Sequence, residues 1–318
     1  MARNFALIGV AGYIAPRHLK AIRDTGNRLL VATDPHDSVG VMDQYFYDSK
    51  YFPEIERFDR HIEKLRRGPE ENRVHYVSIC SPNYLHDAHV RLALRVCADA
   101  ICEKPLVINP WNLDALEELE KEVGRKVHTV LQLRVHPTLI ALKEDLEAVD
   151  GAVKNEVVLT YIAGRGEWFQ VSWKGVEERS GGLATNIGIH FFDLLIWLFG
   201  AVDRCEVHLN HPKRIAGFLE LERACVKWFL STDTADLPFT VEPGERTTYR
   251  SITLNGKELE FTEGFTDLHT RIYENILAGQ GFGIDDARPS IELAHKIRTT
   301  KPVEQMDNLH PYLKNRRQ

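Results

Sequence analysis

The 318-residue sequence predicts an α/β protein with two domains. Residues 1–125 are expected to form a doubly wound parallel sheet, and residues 126–318 an α+β domain with an open, mostly antiparallel sheet. Three observations support this prediction. Apolar strands alternate with amphipathic helices in the first part, extended runs follow one another in the second, and the length suits two domains.

Composition and charge narrow the classes of partner. The formal net charge is −6, whereas nucleic-acid binding requires a basic surface, so no nucleic-acid partner is predicted. No apolar run approaches the roughly eighteen residues of a membrane span, and the first residues lead directly into a strand, so we expect a cytoplasmic protein without a signal peptide. The five cysteines show no C-x-x-C spacing and are expected to be reduced thiols.

The first domain is built from apolar strands that are each followed by a helical pattern. The predicted strands are Phe5–Val10, Arg28–Pro35, Val74–Pro82, Asp99–Pro105 and Lys126–Arg134. The predicted helices are Pro16–Thr25, Asp87–Ala98 and Asn109–Gly124. This alternation favours a parallel sheet with helices on both faces.

After about residue 135 the pattern changes to that of an α+β domain. Helices are predicted at 136–149, Ile187–Gly200, Asp267–Leu277 and Pro289–Thr300. Extended runs are predicted at 153–164, Asp203–Asn210, Ile215–Glu222, Ala224–Leu230, Tyr249–Gly256 and 257–264. Apolar and polar residues alternate within these runs, and Asn255-Gly256 is a hairpin signal. An open sheet with one bare face requires a partner, so we expect an oligomer.

The turn after the first strand predicts a dinucleotide site with an altered glycine pattern. Gly9 and Gly12 stand three apart instead of in the usual G-x-G-x-x-G spacing, and Ala15 closes the turn. A glycine at position 12 allows close approach of a pyrophosphate, and the N-terminus of the following helix provides an anion site. We assign Gly9, Gly12, Tyr13 and Ile14 to cofactor binding.

Asp34 strengthens the prediction of a dinucleotide. It ends the second strand about twenty residues after the turn, where a carboxylate accepts hydrogen bonds from the adenosine ribose. A carboxylate there would repel a 2′-phosphate, so NAD is predicted rather than NADP. The alternative is that Asp34-Pro35 is only a turn. The order strand, turn, helix, strand and aspartate favours NAD.

Polar residues follow the next two strands, at the edge where ligands bind in an open α/β sheet. Ser81, Asn83 and His86 follow one strand, and Glu103 and Lys104 follow the other. Burial would lower the pKa of such a lysine and suit it to proton transfer, although a surface lysine before a turn is the simpler alternative. We assign all five residues to the cofactor site.

His86 and His89 lie one helical turn apart and could form a metal pair. No further ligand accompanies them, so no metal site is predicted.

A third cluster lies on the apolar helix near residue 190. Gly181-Gly182 precede Asn186, His190 and Asp193, which stand at i, i+4 and i+7. A single histidine there would be a core residue. Three polar groups on one stripe of a buried helix must bond one another or a ligand.

The segments "SPNYLH", "CEKPL" and "GGLATNIGIHFFDLL", in this order after a Rossmann-type start, resemble the Gfo/Idh/MocA family (glucose–fructose oxidoreductase / inositol dehydrogenase). The resemblance covers nearly the whole chain. It implies NAD(P)-linked oxidation of a sugar or cyclitol hydroxyl, with Lys104 as the catalytic lysine and His190 as the catalytic helix histidine. Asn186 replaces the family's usual aspartate. Because an amide cannot take a proton, Asn186 is expected to orient substrate, and His190 or Lys104 to act as the base.

The unusual turn, the segment "LQLRVHP" and the Asn-for-Asp change are similar to one subgroup of this family. Members of the subgroup oxidise the C3 hydroxyl of UDP-N-acetyl-D-glucosaminuronic acid with NAD, in the synthesis of diacetamido uronic acids for bacterial surface polysaccharides such as O-antigen lipopolysaccharide. Some members regenerate NAD by reducing 2-oxoglutarate, and the group tends to form homotetramers. These properties are what the resemblance implies for this chain.

A nucleotide sugar acid carries a diphosphate and a carboxylate, and so requires several fixed donors. We assign Gln132 to the cofactor. Besides Lys104, Asn186 and His190, the residues assigned to the substrate are Arg134, His136, Arg165, Trp173 and Lys174, with Trp168 and Arg179 nearby. Each of these residues taken alone is more often a structural charge or a core aromatic.

Two other functions stay open at this point. One is a dehydrogenase of the same family acting on a free sugar or inositol. The other is a non-catalytic NAD-binding regulator, which the Asn186 change allows and the presence of Lys104 and His190 disfavours.

Overall fold

The computed structural model describes residues 2–148, 153–242, 246–260, 267–304 and 307–314. The strands are β1 (Asn4–Ile8), β2 (Arg28–Thr33), β3 (Lys50–Phe52), β4 (Tyr76–Ile79), β5 (Asp99–Cys102), β6 (Val127–Thr129), β7 (Asn155–Ala163), β8 (Val202–His211), β9 (Arg214–Leu221), β10 (Ala224–Ser231), β11 (Thr248–Leu254) and β12 (Lys257–Glu258). The α-helices are α1 (Ala15–Asp24), α2 (Ile55–Arg66), α3 (His86–Arg95), α4 (Trp111–Val123), α5 (Pro137–Ala148), α6 (Trp168–Val171), α7 (Glu177–Ser180), α8 (Ile189–Phe199), α9 (Leu268–Leu277), α10 (Ile284–Thr299) and α11 (Pro311–Lys314).

The first sheet has six parallel strands in the order β3-β2-β1-β4-β5-β6. This is the Rossmann order, and the progression of strands reverses between β1 and β4, which opens a crevice at their carboxyl ends. All five residues of β1 are buried, as expected for a parallel strand covered on both faces. The predicted parallel sheet is confirmed, and β3 and α2 are additions in a stretch for which no element was predicted.

The chain divides into two compact units whose limits differ from the predicted domains. The first unit comprises residues 1–136 and 264–288, and the second comprises 137–263 and 289–318. The structure thus places the first change of unit after residue 136 instead of 125, because β6 pairs with β5 and completes the first sheet.

Residues 264–288 return to the first unit through α9. The helix packs its apolar face into the core cluster that also contains the buried residues of α1. The residues of α9 in this cluster are Leu268, Ile272, Tyr273 and Ile276. The sequence pattern identified α9 as a helix, but the unit it joins depends on a long-range contact.

The second unit contains a six-stranded sheet in the order β12-β11-β7-β10-β9-β8. All neighbouring pairs are antiparallel except β7 and β10, so the predicted, mostly antiparallel sheet is confirmed. Asn255 and Gly256 both have positive φ, at 51° and 79°, and join β11 to β12 as the Asn-Gly signal predicted. Residues 261–264 of the last predicted run lie outside the described residues.

One helical stretch corrects an expectation from the sequence. Glu177–Phe199 is long and apolar enough to cross a membrane, although no such run was expected. Of its most apolar window, 61% is buried within the fold. This burial is typical of the core helix of a folded domain, so the stretch is weak evidence for a membrane span.

Gly9→Ala should strongly destabilise the first unit. Gly9 has a φ of +88°, and an added Cβ would lie 2.7 Å from backbone atoms of Cys80 and Ser81, which cannot move without disturbing β4. Gly26→Ala is the matched control, since Gly26 also has positive φ (+73°) but nothing within 4 Å of an added Cβ. In urea unfolding we expect Gly26→Ala to cost about 1 kcal/mol and Gly9→Ala at least about 2 kcal/mol more. Equal losses would contradict the close contact.

Candidate active site

Two glycines shape the turn after β1. The N–H of Gly9 donates to the carbonyl of Thr33 at 2.8 Å, and the Gly12 N–H donates to the Gly9 carbonyl at 3.1 Å. A Cβ on Gly12 would lie 3.0 Å from that same carbonyl. The turn is therefore compact at both glycines, with Gly9 buried and Gly12 partly exposed.

Helix α1 begins directly after this turn with an N-terminus that suits an anion. Its N-cap residue, Ile14, provides no side-chain cap, and the first turn contains no acidic residue. Tyr13 is 87% exposed beside it. Backbone N–H groups at an uncapped helix N-terminus, with the positive end of the helix dipole, bind phosphate groups. The local structure thus fits the pyrophosphate of a dinucleotide.

Asp34 follows β2 and is buried against the glycine turn. Its Oδ2 accepts a hydrogen bond from the Ala11 N–H at 3.0 Å, and its Oδ1 accepts one from the His36 N–H at 2.9 Å. The Tyr51 hydroxyl donates to the Asp34 carbonyl at 2.7 Å. The carboxylate is therefore fixed beside the turn, where it can also accept from a ribose hydroxyl.

The segment after β4 places Ser81 and Asn83 at the same edge of the sheet, both buried. The Ser81 hydroxyl lies 2.8 Å from Nδ1 of His89. Burial lowers the pKa of His89 to about 4, with a smaller contribution from the neighbouring His86. His89 is thus a neutral ring that orients the Ser81 hydroxyl, a contact that the sequence pattern did not predict.

His86 lies between two backbone carbonyls, and its assignment to the cofactor stays a prediction. Its Nε2 lies 2.8 Å from the Ser81 carbonyl and its Nδ1 2.7 Å from the Pro105 carbonyl. Burial lowers the pKa of His86, while the hydrogen bonds to these two carbonyls oppose that shift. The buried ring lies between the loops that follow β4 and β5. Both facing atoms are carbonyl oxygens, which only accept, so a neutral ring donates to one of them at a time.

Glu103 and Lys104 follow β5. The Glu103 carboxylate is buried and lies within hydrogen-bonding distance of two histidine rings, His18 at 3.0 Å and His269 at 2.9 Å. Lys104 is partly buried. Glu103 therefore contacts the interior of the first unit, and its assignment to the cofactor stays a prediction.

Gln132, Arg134 and His136 lie where a strand was expected. Strand β6 ends at Thr129, and Gln132–Val135 forms a 3-10 helix. The guanidinium of Arg134 forms an ion pair with the Asp286 carboxylate at 3.0 Å, and the Arg134 side chain is only 9% exposed. This contact fixes the side chain within the first unit, and its assignment to substrate binding stays a prediction.

In the second unit, Asn186 and His190 lie at a change of helix type. Ala184–Gly188 forms a π-helical turn that leads directly into α8. Such turns insert an extra residue and are frequent at functional sites. Asn186 and His190 are partly buried and Asp193 is fully buried, so the regular i, i+4, i+7 stripe predicted from the sequence is interrupted.

The Gly181-Gly182 pair explains how the chain enters this turn. Gly181 and Gly182 have φ values of +79° and +68°, and a Cβ on Gly181 would lie 2.6 Å from the Thr185 side chain. Both conformations favour glycine.

The segment before this helix contains a cluster of cations and aromatic rings. The Lys174 ammonium lies 5.7 Å from the centroids of both Trp168 and Trp173. Burial lowers the pKa of Lys174, and the nearby positive charge of Arg165 lowers it further. Trp168 is 56% exposed, so this cluster of the second unit presents positive charge and an aromatic surface to solvent.

Sequence reasoning missed the residues behind Glu103. His18, His269, Tyr273 and Ser78 come from α1, α9 and β4, and no local pattern marks them as a group. Among the described residues, His18, Glu103 and His269 form the one cluster with metal-ligand spacing, their ligand atoms all lying within 4.8 Å of one another.

Comparison with known families identifies both halves of the chain. Residues 3–130 match the model of the Gfo/Idh/MocA oxidoreductase family, NAD-binding Rossmann fold, and residues 151–310 match that family's C-terminal alpha/beta domain.

Solved structures extend the similarity over the whole chain. The WlbA (WbpB) dehydrogenase of Thermus thermophilus, in complex with NAD and alpha-ketoglutarate, is 52% identical with a TM-score of 0.90, covering 98% of this chain and 99% of that one. Its complex with NAD and UDP-GlcNAcA gives 51% identity and a TM-score of 0.91 over the same shares. The WlbA dehydrogenase of Bordetella pertussis, with NADH and UDP-GlcNAcA, is 18% identical with a TM-score of 0.74 over 94% of this chain and 97% of that one, and shows the fold alone.

Curated relatives match over shorter regions. The D-glucoside 3-dehydrogenase of Escherichia coli is 29% identical over 139 residues, which are 42% of this chain and 38% of the relative. The chain thus spans about two fifths of the length of this relative.

Asp34→Ala should weaken NAD binding. The substitution removes the acceptor for the Ala11 N–H and the carboxylate that we predict accepts from the adenosine ribose. We expect the Kd for NAD, measured by calorimetry, to rise at least about tenfold, which is about 1.4 kcal/mol, and the preference for NAD over NADP to fall. Asp37→Ala removes an exposed carboxylate from the same loop and should change neither quantity. Equal effects of the two substitutions would contradict the assignment.

Proposed function

Because the chain belongs to the Gfo/Idh/MocA oxidoreductase family, we propose that it oxidises the C3 hydroxyl of UDP-N-acetyl-D-glucosaminuronic acid with NAD. The similarity to the Thermus thermophilus WlbA dehydrogenase carries this proposal, because it extends over 98% of this chain at 51% identity to a structure that binds NAD and UDP-GlcNAcA. The product would be the 3-keto sugar nucleotide.

The residues of the first unit fit an NAD cofactor. The turn at Gly9 and Gly12 and the uncapped start of α1 would hold the pyrophosphate, and Asp34 would hold the adenosine ribose. Ser81, oriented by His89, offers a hydroxyl at the carboxyl edge of the sheet. Bound NAD supplies the acceptor for the hydride that leaves C3.

Lys104 and His190 are the groups we propose for proton transfer. Oxidation at C3 breaks a C–H and an O–H bond and forms a C=O bond, so a base must take the hydroxyl proton while the hydride departs. One of the two side chains would take this proton and the other would donate a hydrogen bond to the oxygen. Asn186 has no acid–base function and would orient the sugar.

The cluster of Arg165, Trp168, Trp173 and Lys174 suits the nucleotide portion of the substrate. Two cations in a partly apolar setting favour a diphosphate or a carboxylate, and tryptophan rings offer stacking surfaces for a base. The same cluster is unnecessary for a free sugar, so it favours a nucleotide sugar over the inositol or free-sugar alternatives.

We further propose that 2-oxoglutarate regenerates the oxidised cofactor. Support comes from the related structure that binds NAD together with alpha-ketoglutarate. We also propose, from the resemblance to the subgroup, that the protein is a cytoplasmic homotetramer that acts in surface-polysaccharide synthesis. Light scattering of the purified protein would measure its oligomeric state.

Mass analysis of products tests the reaction directly. The protein is incubated with UDP-N-acetylglucosaminuronic acid and 2-oxoglutarate, together and separately. We expect a loss of about two daltons from the sugar, for the two hydrogens that leave, and formation of 2-hydroxyglutarate when both are present. UDP-N-acetylglucosamine, which lacks the carboxylate, is the matched control substrate and should react poorly. An unchanged sugar acid in every arm would contradict the proposed function.

Lys104→Ala and His190→Asn test the proposed proton transfer. Each variant should keep the Kd for NAD and lose at least about a hundredfold in the rate of NADH formation, because a general acid or base contributes about 10²–10⁴ in rate. Stopped-flow absorbance of NADH in a single turnover measures this step. Lys126→Ala, an exposed lysine at the start of β6, should leave the rate unchanged. Near-parental rates in both variants would refute the assignment.

A further inference from the structure

Glu103 is a buried carboxylate that the proposed reaction does not use. Only 8% of the residue is exposed. Its Oε1 lies 3.0 Å from Nε2 of His18 and 2.9 Å from Nε2 of His269, and its Oε2 accepts from the backbone N–H of Lys104 at 3.2 Å. Three donors around one carboxylate offset the cost of burying its charge.

The groups behind His18 determine which of its nitrogens carries hydrogen. Nδ1 of His18 lies 2.7 Å from the Tyr273 hydroxyl, which lies 2.6 Å from the Ser78 hydroxyl. Ser78 donating to Tyr273, and Tyr273 donating to Nδ1, leaves Nε2–H to donate to Glu103. The opposite direction would place the Nε2 lone pair against a carboxylate oxygen, which is repulsive.

The charges agree with this direction. Burial lowers the pKa of His18, so the ring is neutral near pH 7. Burial acts to raise the pKa of Glu103, but the hydrogen bonds from His18 and His269 outweigh it and hold that pKa well below its usual range. The Glu103 carboxylate is therefore ionised and His18 is neutral, so the negative charge lies on the residue before Lys104.

We propose that His18, Glu103 and His269 are positioning residues for Lys104. The two histidines hold the Glu103 carboxylate, and the carboxylate holds the main chain from which the lysine extends. The proposal rests on the proposed role of Lys104 in proton transfer. Helix α9 contributes His269 to this network from 166 residues further along the chain.

Two substitutions at His269 separate hydrogen bonding from packing. His269→Leu cannot donate to Glu103, whereas the side-chain amide of His269→Gln can. We expect His269→Leu to lower kcat at least about tenfold with little change in the Kd for NAD, and His269→Gln to recover kcat to within about threefold, because misplacement of a reacting group costs turnover more than binding. His75→Leu is the control. His75 is also partly buried and accepts a hydrogen bond from the Asn4 N–H at 2.9 Å, but it precedes β4 at the opposite edge of the sheet, so kcat should be unchanged.

A kcat within twofold of the parent for His269→Leu, or equal losses for His269→Leu and His269→Gln, would overturn the proposal.

A second measurement is independent of turnover. In ¹⁵N-histidine NMR of the parent protein near pH 7, the resonance lost in His18→Gln should show a neutral ring with hydrogen on Nε2, and the resonance lost in His269→Gln should show hydrogen on Nε2. Hydrogen on Nδ1 of His18 in place of Nε2, or a stoichiometric divalent metal in the purified protein, would overturn the network. If the parent protein forms no NADH from the UDP-sugar acid, the proposed function fails, and the NMR result still decides the network.

Discussion

The close contact between Gly9 and the backbone at Cys80 and Ser81 is the constraint on which the cofactor half of the site depends. A Cβ at position 9 would lie 2.7 Å from those atoms, so only glycine lets the carboxyl ends of β1 and β4 approach so closely. This close approach makes the loop before α1 compact. The loop then places the Ala11 N–H where it donates to Asp34. One steric requirement thus links the sheet, the start of α1 and the Asp34 carboxylate that we predict binds the adenosine ribose.

Histidines hold the two loops that follow β4 and β5. His86 joins them through two carbonyls, His89 orients Ser81, and His18 with His269 surrounds Glu103. Burial lowers the pKa of His18 and His89, so each of these rings stays neutral and acts as a directed donor or acceptor. These histidines therefore act as fixed hydrogen-bonding groups near pH 7, and the polar residues at this edge of the sheet are held by contacts made in the protein interior.

The second unit uses backbone conformation to present its polar residues. Two successive glycines with positive φ lead into a π-helical turn, and Asn186 lies within that turn on an otherwise apolar helical stretch. Burial of this stretch requires partners for every polar group it contains. A helical stretch that is apolar enough to cross a membrane is therefore mostly buried within a folded unit.

The sequence alone determined the parallel sheet, the mostly antiparallel second sheet, the altered glycine turn and the polar residues at strand ends, because strand and helix periodicity and glycine conformation are local properties. Tertiary structure decided the boundary at residue 136, the return of α9, the pairing of Arg134 with Asp286 and the histidines around Glu103. Each of these depends on contacts between segments far apart in the chain, and a hydrogen bond between His269 and Glu103 leaves no signature in the residues next to either one.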